Sequence, residues 1–73
     1  MFQFQTSLGS IIEIDQKSKR FQVLRMSRNP EPFHLNSGTL RDWSVEPGQP
    51  ASLVLEKSGR VLRTSRVAIL RRW

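Results

Sequence analysis

Nowhere in this chain do apolar side chains recur at the three- and four-residue spacing of an amphipathic helix over eleven or more positions. Short segments alternate instead. Phe2 and Phe4 stand against Gln3 and Gln5, and Ile12 and Ile14 against Glu13 and Asp15. Phe21 and Val23, Trp43 and Val45, and Leu53 and Leu55 repeat the pattern. A period of two places successive side chains on opposite faces of a strand, and Ile, Val, Phe and Thr suit a pleated, half-buried surface. Four prolines and four glycines cut the chain between these segments. The strands expected are Phe2 to Thr6, Ile11 to Asp15, Arg20 to Ser27, Thr39 to Val45, Ala51 to Glu56 and Val61 to Leu70, the last as one bent strand or two broken near Ser65. Leu24 and Met26 fall on the face opposite Phe21 and Val23, so the third strand is covered on both sides or carries a bulge. A short fragment over Phe33 to Leu35 ends at Asn36-Ser37-Gly38.

The connections have turn chemistry. Gln16 to Lys19 is short and polar. Pro47-Gly48 sits at the centre of a tight turn, and Lys57-Ser58-Gly59-Arg60 reads as a hairpin loop. Asn29-Pro30-Glu31-Pro32 is irregular, because each proline lacks a donor and disfavours helix before it. At 73 residues the chain has room for one domain, residues 1–73, with a basic-aromatic tail at 71–73. Closing a sheet on itself removes exposed edges, so the fold expected is all-β. It is a small five- to seven-stranded barrel, SH3-like or OB-like, or a compact two-sheet sandwich.

Thr-Ser occurs at 6–7 and again at 64–65, each time before a strand. The sequence resembles a group of small β proteins of actinobacteria and their bacteriophages. The resemblance runs through Thr6-Ser7, Ile14-Asp15, Lys17 to Arg20 and Phe21 to Arg25. It continues in Gly48 to Leu55 and in Thr64-Ser65-Arg66-Val67-Ala68-Ile69-Leu70, and leaves out 29–36 and 71–73. It implies a small β fold of phage or actinobacterial origin, and brings no activity and no catalytic residue with it.

The chemistry inventory is thin. With no cysteine there is no thiolate nucleophile, thiolate metal site or disulfide framework. The single histidine, His34, has no second histidine with which to build the common metal sets. Glu13 and Asp15 share a strand face about 7 Å apart. Lys17, Lys19 and Arg20 follow at once, so a charge-balanced hairpin explains the pair better than catalysis or Mg²⁺ binding. The four glycines are isolated and form no phosphate-cradling motif. The expectation is a protein that is not an enzyme and needs no cofactor or metal. Nothing approaches the roughly 18 apolar residues that cross a bilayer, and the start of the chain does not read as a signal peptide. A cytoplasmic location is therefore expected, in the host cytoplasm if the gene is phage-borne.

Charge is the informative feature. The net charge is +6, and residues 1–56 contribute nothing to it, their cations and carboxylates cancelling. Residues 57–73 hold Lys57, Arg60, Arg63, Arg66, Arg71 and Arg72 and no acid. Guanidinium is planar, weakly hydrated and forked, which suits phosphate and carboxylate. A one-sided charge distribution also steers anionic partners. These six residues with Trp73, a ring for stacking or for anchoring an interface, are the candidate site. The partner expected is nucleic acid, held mainly by phosphate contacts. The alternatives are an acidic surface on a host protein and self-assembly by strand addition. Phe2, Phe4, Phe21 and Trp43 are assigned to the core.

Overall fold

A computed structural model describes residues 1–26 and 35–72. His34, the 29–32 segment, the 33–35 fragment apart from Leu35, and Trp73 lie outside the described residues. Six strands form: β1 (Phe2–Thr6), β2 (Ile11–Asp15), β3 (Arg20–Arg25), β4 (Ser37–Ser44), β5 (Pro50–Leu55) and β6 (Val61–Arg72). Each pairs antiparallel with the next, and β6 returns to β1 to close a barrel. The order is sequential all the way round, a meander rather than the Greek key of an OB-like barrel.

The alternation read from the sequence sets the faces. Phe2, Phe4, Ile12, Ile14, Phe21, Leu40, Ala51, Leu53, Leu62 and Val67 fill the interior, with Val23, Trp43, Val45, Leu55 and Leu70 packed around them. Among the described residues the buried polar ones are Thr6, Ser10 and Thr64. The Glu46–Gln49 turn closes with the Gln49 N–H donating to the Glu46 carbonyl at 3.2 Å, and Gly48 takes the left-handed φ of 86° that this turn requires.

Two strands turn corners. β4 pairs with β3 through Ser37 to Thr39 and with β5 through Leu40 to Ser44. β6 pairs with β5 through Val61 to Arg66 and with β1 through Phe2's partner Arg72 back to Val67. The barrel is thus a larger sheet, β3-β2-β1 with one part each of β4 and β6, facing a smaller sheet of β4, β5 and β6. Bulges mark the bends. The pairing register slips by one residue at Leu24 in β3, at Arg41 in β4, and in β6 at Thr64-Ser65 and again at Ala68. An extra residue on one strand bends it and increases its twist. The last segment is therefore one bent strand, and it runs two residues further than expected.

β4 begins at Ser37, inside the stretch that reads as a strand-ending Asn36-Ser37-Gly38. Gly38 pairs directly with Phe21, and a Cβ there would lie 2.9 Å from Phe21 Cε1. The glycine is under the ring, a place where a side chain has no room, and so serves the strand rather than ending it.

Candidate anion-binding surface

The bulges decide where the basic residues point. Leu62 and Thr64 face the interior. On an unbroken strand, Arg63 and Arg66, three residues apart, would lie on opposite faces. The extra residue at Thr64-Ser65 shifts the phase, so Arg63 opposite Ser52 and Arg66 opposite Pro50 are both exposed on the outside of the smaller sheet. The second bulge, at Ala68, shifts it again. Val67 stays inside opposite Thr6, while Ile69 opposite Gln5 and Arg71 opposite Gln3 face out. The outward row of β6 is then Val61, Arg63, Arg66, Ile69 and Arg71.

Thr64 holds the first bulge. Its Oγ1 accepts the Ala51 N–H at 3.1 Å, a donor that the interrupted ladder leaves over, and donates to the Ser65 carbonyl at 2.6 Å. Thr6 does the equivalent at the β1–β2 turn, where its Oγ1 accepts the Ser10 N–H at 3.1 Å and its own N–H donates to the Ser10 carbonyl at 2.9 Å. The two Thr-Ser pairs share a job: a buried threonine hydroxyl satisfies a backbone donor where strand pairing fails. Ser7 then ties the two places together, its N–H donating to the Arg66 carbonyl at 2.7 Å.

Lys57 and Arg60 lie in the β5–β6 hairpin loop, closed by Leu55 N–H to the Arg60 carbonyl at 2.9 Å and Gly59 N–H to the Leu55 carbonyl at 3.0 Å. Arg41, which the charge count placed in the neutral part, reaches this loop from the β4 bulge. Its Nη2 donates to the Glu56 carbonyl at 3.0 Å, and its guanidinium lies beside Gly59. No sequence signal marks Arg41, because only the pairing of β4 with β5 brings it to the hairpin.

One expected site residue, Arg72, leaves the row. Arg71 and Arg72 belong to β6 rather than to a tail. Arg72 pairs with Phe2, so it takes the interior phase at the barrel mouth, its guanidinium carbon 5.9 Å from the Phe2 ring centroid. It is a cation–π cover for the end of the core and is separated from the outward row. Trp73 is outside the described residues.

Glu56 stands beside Lys57 at the hairpin, and Glu46 opens the turn whose Gly48 N–H donates to the Val67 carbonyl next to Arg66; the other carboxylates lie further from the row. Across the larger sheet Arg71 is followed by Gln3, and only then by Glu13, two strands or about 10 Å away. Across the smaller sheet Val61 is followed by Val54 and then by Asp42, whose Oδ1 accepts the Trp43 N–H at 2.8 Å. Asp15 is engaged in its own turn. Hydrogen bonds from the Lys17 N–H, and then the Ser18 N–H, hold its carboxyl below the ordinary value.

Among the described residues no group of three or more His, Cys, Asp or Glu could hold a metal, and no helix is long and apolar enough to cross a membrane. Glu13 and Asp15 line an open groove of about 480 Å³ together with Arg20 and Gln22, a charge-mixed surface. Comparison with protein-family models, curated proteins and solved structures finds no match.

Proposed function

We propose that this barrel is a non-catalytic module that binds nucleic acid through its phosphates, with Arg60, Arg63, Arg66 and Arg71 as the principal contacts and Lys57 beside them. The observation that carries the reading is the outward phasing of Arg63, Arg66 and Arg71, produced by two bulges in one strand. Guanidinium groups on an exposed face, with Ser52, Pro50 and Gln3 as the uncharged cross-strand neighbours of Arg63, Arg66 and Arg71, form a polyanion-binding surface of low desolvation cost. Among the described residues Phe2, Phe4 and Phe21 are buried and Trp43 is half-buried against the core, so binding rests mainly on charge and is weakly selective for sequence.

Fluorescence anisotropy with labelled oligonucleotides tests this. Binding is expected at about 50 mM salt, weakening to a Kd in the range of roughly 10⁻⁴–10⁻⁶ M at physiological salt. The double variant Arg63→Gln/Arg66→Gln should flatten the log–log salt slope by about 1.4 on single strands, since each phosphate contact contributes about 0.7. No binding to any oligonucleotide at low salt, or an unchanged slope in the double variant, overturns the proposal. Capture of an acidic protein that survives nuclease treatment would then favour a protein partner.

A further inference from the structure

We infer, on the strength of that reading, that the nucleic acid is single-stranded and that it follows β6 around the corner of the barrel. β6 carries two bulges, and each bends the strand and increases its twist. β6 therefore curves, and it passes from the smaller sheet to the larger between Arg66 and Val67. The outer faces of two sheets that enclose one core look away from each other. The outward direction consequently turns along the row from Arg63 and Arg66 to Arg71.

A duplex is stiff over a persistence length of about 500 Å and meets so small a convex body along one short tangent. It can touch Arg60, Arg63 and Arg66, or Arg71, but not all four. A single strand bends at every nucleotide and can follow the whole row.

The outward row interleaves its arginines with Val61 and Ile69, which are 50% and 44% exposed. Against a duplex backbone these side chains would face phosphate and sugar. Against a single strand they face unstacked bases, whose apolar faces a duplex conceals. Cations for phosphates alternate here with exposed aliphatic side chains, which take the place of the aromatic rings on which single-stranded bases otherwise stack.

The test compares a single-stranded 20-mer with its 20-base-pair duplex across a salt series, using the full chain and two variants. Four contacts on a single strand give a slope of about −3, and Arg71→Gln should bring it to about −2 while leaving the duplex slope unchanged. Val61→Ser/Ile69→Ser should weaken single-strand binding about three-fold or more, with duplex affinity of the same variant unchanged and serving as the control for folding. If the duplex binds as tightly as the single strand, or Arg71→Gln flattens both slopes alike, this inference falls while nucleic-acid binding stands. If neither form binds, the reading of the surface falls and takes this inference with it.

Discussion

Replacing Thr64 by valine should separate the bulge from the strand that carries it. Valine keeps the branched shape and volume, so no cavity opens, but it removes the oxygen that accepts the buried Ala51 N–H at 3.1 Å and the hydroxyl that donates to the Ser65 carbonyl at 2.6 Å. Leaving one buried donor unpaired costs about 1–3 kcal/mol. A chain of 73 residues has a total stability of about 4–11 kcal/mol at the usual per-residue range, so the loss is a sizeable fraction of the whole. With a urea dependence of about 1 kcal/mol per molar for a domain this small, the midpoint should fall by roughly 1–3 M. Thr64→Ser provides the contrast. It keeps the oxygen and loses one buried methyl, which costs about 0.8 kcal/mol. Urea titration followed by circular dichroism reads both. Because the bulge sets the phase of Arg66, Thr64→Val should also lower oligonucleotide affinity under conditions where it remains folded. The reasoning is refuted if Thr64→Val unfolds at the wild-type midpoint, or if Thr64→Ser loses as much as Thr64→Val.

Two further predictions concern the scaffold. Gly38→Ala places a methyl 2.9 Å from Phe21 Cε1 and should destabilise by about 1–3 kcal/mol, a cost that shrinks in a Phe21→Leu background because the ring is the obstacle. Asp15 has its carboxyl lowered in the folded chain by the Lys17 and then the Ser18 N–H, so its contribution is present above the ordinary value of 3.8 and is lost as the pH falls below it. Asp15→Asn should therefore show a smaller stability decline than wild type below about pH 4 in acid titrations, and an identical decline would contradict the assignment.

The strands and turns were legible in the sequence because their causes are local. Alternation at Phe2 to Gln5 and Ile12 to Asp15 names the buried face, and Pro47-Gly48 and Ser58-Gly59 carry their own turn preferences. The concentration of arginine after residue 56 is likewise a property of composition. Two local signals pointed the wrong way. Gly38 reads as an end of structure until Phe21 is placed above it, and Arg71-Arg72 reads as a tail until β1 is placed beside it.

What only the tertiary structure decided is which side of β6 each arginine occupies. A period of two predicts a face only while the ladder is regular, and each bulge inverts the phase of everything beyond it. Whether a bulge forms depends on the register against β5 and β1, strands that meet β6 only when the barrel closes. Thr64 and Thr6 are visible in the sequence as a repeated Thr-Ser pair, but their work as acceptors for stranded backbone donors exists only once Ala51 and Ser10 are brought to them. Composition settled how much positive charge the end of the chain carries. Long-range pairing, which no local preference encodes, set three arginines outward and turned Arg72 over the Phe2 ring.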